Sequence, residues 1–226
     1  MTKITIQDGT TKNPISLMGY EAGVCYGSDI TDDAKNFKRG ITCVKDGHGR
    51  LMEMPPVYIT VEGYSARFVR EFYTHISGGP TRMQASTRYI KYGEFDYIIP
   101  ASIESNEQAK QAYIEQMLAT QECYRKLEEL HVPKEDIANI LPLGMTSTFV
   151  CRTNLRNLSD MSHQRLCTRA YWEYRNFMHE LIAALHDYSN EWAILIDDCN
   201  LFVPKCELSG YCVESRCCGR KPKKDN

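Results

Sequence analysis

The chain has 226 residues, of which 42% are hydrophobic and 25% are charged, and its formal net charge is -2 at pH 7. This length allows one substantial core, and the near-neutral charge excludes the broad basic surface typical of nucleic-acid binding. The longest apolar run, residues 192–196, is far too short to span a bilayer. The first residues contain no apolar signal region, so we expect a cytoplasmic protein with no membrane or nucleic-acid partner.

The first half of the chain alternates turn signals with short periodic segments. Residues 1–56 are rich in turn dipeptides such as Asp-Gly and Pro-Pro, and the β-branched run at 57–61 predicts a strand. Helical spacing predicts a helix over 64–76. Its predicted apolar face consists of Phe68, Val69, Phe72, Tyr73 and Ile76. A Gly-Gly-Pro break follows, and residues 88–92 are interpreted as an extended segment.

The second half is dominated by predicted helices. Apolar spacing predicts a long helix over 106–130, a new helix after Pro133, a strand or extended link at 148–153 and a helical stretch over 154–187. The pattern indicates an α+β fold, with long helices packed on a small mixed or antiparallel sheet. We expect one main domain at 1–190 and a short cysteine-rich C-terminal segment at 191–226.

Residues 75–89 combine a polar helix end, a glycine-rich bend and hydrogen-bonding side chains. Gly78 and Gly79 allow the backbone to approach a ligand closely. Arg82, Ser86 and Arg88 offer the charges and the hydroxyl that phosphate oxygens require. A surface loop with solvated arginines explains the same pattern equally well.

Residues 154–173 carry a second group of candidate side chains. On one continuous helix, Met161, Arg165, Arg169 and Trp172 would lie within about 80° of one another. Arginines beside a tryptophan suit an anionic, aromatic ligand. Taken alone, however, a solvated arginine face beside a partly buried tryptophan is the better interpretation.

Together the two stretches resemble the sequence signature of flavin-dependent thymidylate synthases. Residues 84–89 read Gln-Ala-Ser-Thr-Arg-Tyr and match the Glu/Gln-x-Ser-x-Arg-Tyr end of the first family motif. Thr74-His75-Ile76 stands where the family has Arg-His-Arg, with two extra residues between the two parts. Residues 141–143 and 154–173 resemble the second family block. The resemblance covers roughly residues 40–190, and two motifs in order are more specific than either alone.

The resemblance implies a reaction and a set of site residues. Family members convert dUMP to dTMP with methylenetetrahydrofolate as carbon donor, FAD as hydride carrier and NADPH as reductant, in a homotetramer with active sites between subunits. Arg165 would be the catalytic residue, contacting the pyrimidine and stabilising charge that develops on it. The remaining nucleotide-binding residues would be Glu71, Gln84, Ser86 and Arg88. The FAD-binding residues would be His75, Asn154 and Arg156, with Gln84 and Arg169 as weaker candidates.

Three positions depart from the family pattern. Thr74 and Ile76 replace the two arginines that flank the motif histidine, and Ala138 replaces an arginine expected to contact the nucleotide phosphate. Losing two cations weakens the binding of a pyrophosphate unless another cation replaces them. Arg82 is the main candidate replacement for binding FAD, and Arg70 is less suitable.

Five of the ten cysteines fall within the last 28 residues. Of these, Cys206, Cys212, Cys217 and Cys218 could form a zinc site or, less favoured by ligand geometry, an iron–sulfur site, although no Cys-x2-Cys spacing supports either. A reduced tail, or one that forms a disulfide, is the alternative. The basic terminal residues, Arg220, Lys221, Lys223 and Lys224, are interpreted as a solvated end.

Two other functions fit the sequence. One is a related flavin-dependent C5-methylase that acts on UMP or dCMP. The other is a non-catalytic module that holds nucleotides or RNA and carries a metal-bound tail, which would be colourless on purification.

Overall fold

The structure is a computed structural model that describes residues 1–224 and divides into two compact units. The first unit comprises residues 1–3, 61–74 and 83–150, and the second comprises 4–60, 75–82 and the chain from 151 onward. The strands are β1 (Lys3–Ile6), β2 (Pro56–Ser65), β3 (Thr81–Gln84) and β4 (Thr146–Asn154). They form one antiparallel sheet in the order β1-β2-β4-β3.

Helices make up most of the remaining regular structure. They are α1 (Pro14–Tyr26), α2 (Asp33–Lys45), α3 (Ala66–Phe72), α4 (Ala101–Glu104), α5 (Glu107–Glu129), α6 (Lys134–Ile137), α7 (Leu155–Arg165), α8 (Trp172–Tyr188), α9 (Asn190–Asp197) and α10 (Lys205–Ser209). The combination of these helices with a small antiparallel sheet confirms the predicted α+β class. No helix within residues 1–224 is both long and apolar enough to cross a membrane.

In the first unit, α5 confirms the predicted long helix over 106–130. The helix predicted over 64–76 is shorter than expected. Ser65 caps α3 by accepting a hydrogen bond from the amide of Phe68, and α3 ends at Phe72. Because the helix stops there, Tyr73 and Ile76 lie outside the core, and Ile76 is 72% exposed. The predicted extended segment at 88–92 is also wrong at its start. The amides of Tyr89 and Ile90 both donate to the carbonyl of Ser86 and form a turn.

The second unit contains two helices, α1 and α2, that the sequence interpretation did not anticipate. Pro14 occupies the first turn of α1, and the Asp32 side chain caps α2 by accepting from the amide of Lys35. The helices lie so close that a Cβ atom on Gly19 would come within 1.7 Å of the Asn36 carbonyl oxygen. A glycine is therefore required at this crossing.

The predicted helical stretch over 154–187 is two helices. α7 ends at Arg165 and α8 begins at Trp172, so the single face predicted to carry Met161, Arg165, Arg169 and Trp172 does not exist. The Nη1 group of Arg175 donates to the carbonyls of Thr168 and Ala170 at 2.9 and 2.5 Å and holds the connection in a non-helical path. The predicted domain boundary near residue 190 stays a prediction.

Candidate active site

Three side chains from separate segments of the second unit contact one another: His75, Arg165 and Tyr174. We call them the buried cluster. Arg165, the last residue of α7, donates from Nε to His75 Nε2 at 2.9 Å. The Arg165 Cζ atom lies 4.5 Å from the centroid of the Tyr174 ring, and the His75 ring meets that ring edge-on at 5.7 Å. Since Tyr174 is fully buried in α8, the guanidinium is fixed by a hydrogen bond and a cation–π contact together.

The electrostatics of the buried cluster keep His75 neutral. The side chain is only 8% exposed, and this burial, followed by the charges of Arg165 and Arg82, lowers the pKa of His75 from 6.5 to about 4. Because Nε2 accepts a hydrogen bond from Arg165, the ring proton of the neutral imidazole is on Nδ1. The cluster therefore presents one cation, which is oriented by an uncharged acceptor.

The glycine bend that follows His75 is held against Asn154. Gly78 and Gly79 both have positive φ values, 72° and 63°. A Cβ atom on Gly78 would lie 2.4 Å from Asn154 Nδ2, whereas one on Gly79 would meet no atom within 4 Å. Asn154 donates from Nδ2 to the Gly78 carbonyl at 3.4 Å, and its Oδ1 caps α7 by accepting from the Asn157 amide at 2.9 Å. Asn154 thus joins the bend to the start of α7.

Arg156 lies in the first turn of α7 and is partly exposed. Its Nη1 group pairs with Oε1 of Glu53 at 2.5 Å. A Cβ atom on Gly49 would lie 3.4 Å from the Arg156 guanidinium carbon, so the backbone of residues 48–50 passes close to this cation. Arg156 keeps a charge that can be shared between Glu53 and an anionic ligand.

The second unit thus holds the residues predicted to bind FAD, apart from Gln84. They are His75, Arg82, Asn154, Arg156 and Arg169. The pyrophosphate of FAD requires cations and hydrogen-bond donors. A charged Arg82 near a neutral His75, a half-exposed Arg156 and the glycine bend supply groups of this kind. The residues present are of the types that the cofactor requires, and Arg82, whose charge acts on His75, is still the candidate replacement for the two cations absent at Thr74 and Ile76.

The first unit holds the predicted nucleotide-binding residues Glu71, Gln84, Ser86 and Arg88. Gln84 Nε2 donates to Ser147 Oγ at 2.9 Å. Ser86 Oγ accepts from the Arg88 amide at 3.3 Å, and Arg88 Nε pairs with Glu135 at 3.1 Å. Both partners in that ion pair are largely exposed, so the pair is weak, and a phosphate can displace Glu135.

A cavity of about 450 Å³ lies in the second unit between the α7–α8 connection and the C-terminal segment. Its lining includes Arg165 and Arg169 from the end of α7 and the α7–α8 connection, and Lys205, Arg216 and Arg220 from the C-terminal segment. Sequence analysis missed the last three because Arg220 was interpreted as part of a solvated end and the segment as a thiol site. The recurrence of basic residues along the segment was the available signal.

The predicted zinc site at Cys206, Cys212, Cys217 and Cys218 is not supported by the structure. Within residues 1–224, no group of three or more His, Cys, Asp or Glu side chains is arranged to hold a metal ion. The thiol of Cys217 instead donates to the Lys221 carbonyl and accepts from the Gly219 amide. Hydrogen bonds from the Arg220 backbone and the Thr168 side chain lower the pKa of the Cys218 thiol. The Cys212 and Cys217 side chains hydrogen-bond to each other, but among the described residues they are not part of a group that could hold a metal ion.

Comparison with known proteins identifies the family. Residues 9–188 match the family model described as thymidylate synthase complementing protein. A flavin-dependent thymidylate synthase of Clostridium tetani is 26% identical over 93% of this chain and 90% of its own length. Proteins of the same name from Pyrococcus abyssi and Thermococcus onnurineus are each 28% identical, over 95% and 90% of this chain and 90% and 86% of their own lengths. The chain therefore belongs to the thymidylate synthase complementing protein family, an enzyme family whose curated relatives are named flavin-dependent thymidylate synthases.

Proposed function

We propose that this enzyme is a flavin-dependent thymidylate synthase that methylates dUMP reductively to dTMP. Methylenetetrahydrofolate supplies the carbon, FAD carries the hydride and NADPH is the reductant. The observation that carries the proposal is the 2.9 Å hydrogen bond from Arg165 to a neutral His75, in a chain that belongs to the family. This hydrogen bond links a residue from each of the two motif regions that the sequence resemblance identified.

Arg165 has the central role in the proposed reaction. A guanidinium has five N–H bonds, and His75 takes the one on Nε, which fixes the plane in which the two Nη groups lie. In this orientation Arg165 stabilises negative charge that develops on the pyrimidine ring. His75 is then a positioning residue as well as a cofactor ligand, because its neutral Nε2 keeps the arginine in place.

The cofactor is held by His75, Arg82, Asn154 and Arg156, with Gln84 and Arg169 as further candidates. When bound, FAD supplies the hydride that completes the methyl group. These side chains would bind and orient it, and Gly79, where an added Cβ atom would meet no neighbour within 4 Å, would leave room for it beside the backbone.

The proposal assigns the nucleotide phosphate to Ser86 and Arg88, assisted by Glu71 and Gln84. Arg88 would exchange its partner Glu135 for a phosphate, a better acceptor for bidentate binding. The proposal also includes a homotetramer with active sites between subunits, and a cytoplasmic location.

The experiment is a test of turnover with purified protein, FAD, methylenetetrahydrofolate and NADPH. Thymidylate should form from dUMP and not when FAD or the folate is omitted. UMP and dCMP, tried in parallel, should give much slower turnover. Product from UMP or dCMP alone would replace the proposal with the related C5-methylase. Protein that stays colourless with added FAD and yields no product would favour the non-catalytic module.

A further inference from the structure

The cavity beside the C-terminal segment has a strongly positive lining. Its basic side chains come from both walls, and we call Lys205, Arg216 and Arg220 the C-terminal wall. Among the described residues that line the cavity, Glu214 is the one carboxylate. Glu214 lies 3.9 Å from Arg169, and both side chains are 43% exposed, so this ion pair neutralises little of the charge.

The cations of the C-terminal wall make no ion pairs within the part of the chain that the structure describes. Within residues 1–224, no carboxylate lies within ion-pair distance of Lys205, Arg216 or Arg220. By contrast, Lys221, which follows Arg220 directly in the sequence, pairs with Glu207 at 2.7 Å. Like charges that face a shared cavity repel one another, so this arrangement favours an anion in the space between them.

The volume and the residue types narrow the class of ligand. About 450 Å³ is within the usual range for a small-molecule site. Four of the five cations are arginines, which bind oxyanions bidentately. A phosphate carries three terminal oxygens that point in different directions, so arginines on two walls can contact it together. A carboxylate offers a single planar edge.

We infer that this cavity is a binding site for a phosphorylated small molecule, with the C-terminal wall as the half that confers affinity. This inference rests on the proposed function, because Arg165 and Arg169 line the cavity, and it adds the C-terminal wall as a further group of binding residues. The C-terminal wall lies beyond residues 9–188, the part that matches the family model. Arg165 belongs both to the lining of the cavity and to the buried cluster, so a ligand held by the C-terminal wall would lie beside that cluster.

Calorimetric titration of the full-length protein with inorganic tripolyphosphate tests the inference. The wild type should bind it, and the double variant Arg216→Gln/Arg220→Gln should bind about a hundredfold more weakly, because two charge-assisted contacts are lost. The control Lys38→Gln/Lys223→Gln removes the same charge from exposed residues that do not line the cavity, and it should bind like the wild type. Equal binding by the Arg216/Arg220 variant and the control would overturn the inference.

Two additions keep the result decisive. If the double variant does not fold, judged by circular dichroism, Lys205→Gln replaces it, with about a tenfold loss expected. Competition experiments then distinguish a phosphate ligand from a carboxylate ligand. Adenosine 2′,5′-bisphosphate should displace tripolyphosphate. Displacement only by a γ-linked glutamate trimer would overturn the phosphate assignment. Flavin content and dTMP formation, measured on the same samples, report the proposed reaction separately, since neither is needed for tripolyphosphate to bind.

Discussion

The buried cluster and the C-terminal wall use their cations in opposite ways. In the buried cluster, Arg165 is held by His75 and by the Tyr174 ring, so the protein itself determines its orientation. In the C-terminal wall, Arg216 and Arg220 are exposed and line a cavity without an ion-pair partner among residues 1–224. The position of an arginine in the fold therefore decides whether other side chains of the protein fix its orientation or leave it available to an anionic ligand.

Removing Arg165 should have the largest effect, because it breaks the buried cluster at its charged member. Arg165→Ala should lower turnover at saturating dUMP about 10²–10³-fold, as expected when one pre-organised donor to a developing charge is lost. Steady-state kinetics of dTMP formation measure this. Arg165→Lys keeps the charge but has no Nε–H group at the same place, so it should recover only a small part of the loss. Normal turnover in Arg165→Ala would contradict the catalytic assignment.

The neutrality of His75 predicts a pH dependence of stability. Its pKa is about 4 in the folded protein against 6.5 as its ordinary value, so the unfolded state binds more protons between these limits. The contribution of neutral His75 to the free energy of unfolding is fully present above pH 6.5. It is lost as the pH falls toward 4, and the loss is about 3 kcal/mol at most. Chemical unfolding at pH 7 and pH 4 measures the loss.

His75→Gln is the control for this titration, since glutamine cannot bind the proton. Burial also lowers the pKa of His163, so protonation of His163 destabilises the fold over the same pH range. The difference in pH dependence between wild type and His75→Gln therefore isolates the contribution of His75. The account predicts a smaller pH dependence for the variant. An equal loss of stability in both proteins would show that His75 is not the neutral acceptor for Arg165.

A matched pair of substitutions in the glycine bend tests whether the position of Asn154 depends on the bend. Gly79→Ala should cost about 1–2 kcal/mol of unfolding free energy, because alanine at positive φ is strained but meets no neighbour. Gly78→Ala has the same strain and also displaces Asn154 from its capping position, which adds about 1 kcal/mol. Urea unfolding of both variants measures the difference. Equal costs would mean that Asn154 does not depend on the bend.

The smallest effect is expected at the pair between Arg156 and Glu53. Both side chains are partly exposed, so Glu53→Gln should change the free energy of unfolding by less than about 1 kcal/mol. Arg156→Gln should have a similarly small effect on the free energy of unfolding. It should lower the FAD content, because it removes a cation that binds the cofactor, whereas Glu53→Gln removes the carboxylate that competes for that cation. Absorbance of bound flavin per protein distinguishes the two variants. A lower flavin content in Glu53→Gln alone would reverse the proposed roles.

Local sequence signals predicted the elements whose ends are set by local chemistry. The strand at 57–61 lies within β2, and α5 begins after the capping Asn106 close to the predicted start. The end of α3 at Phe72 and the break between α7 and α8 were missed, because apolar and helix-forming residues continue through both. The break depends on Arg175 donating to two carbonyls, which no spacing rule reveals.

For the site, the sequence resemblance predicted roles for Arg165 and His75, which stay predictions, but it did not predict their direct hydrogen bond. Sequence distance hides that contact, since 90 residues separate the two positions. Asn154 was predicted as a cofactor ligand, and its role as the cap of α7 became visible only in the structure. The C-terminal wall was missed for a different reason: exposed basic residues have no periodic pattern that separates a cavity lining from a solvated tail.

The proposed function requires the buried cluster to form a flavin and nucleotide site through Arg165. Titration of dUMP into the FAD-loaded protein, followed by the visible absorption spectrum of the flavin, is the decisive experiment. We expect a saturable change in the wild-type spectrum and no change in Arg165→Ala that has kept its flavin. A wild-type protein that binds no FAD, or an Arg165→Ala variant that responds to dUMP like the wild type, would contradict it.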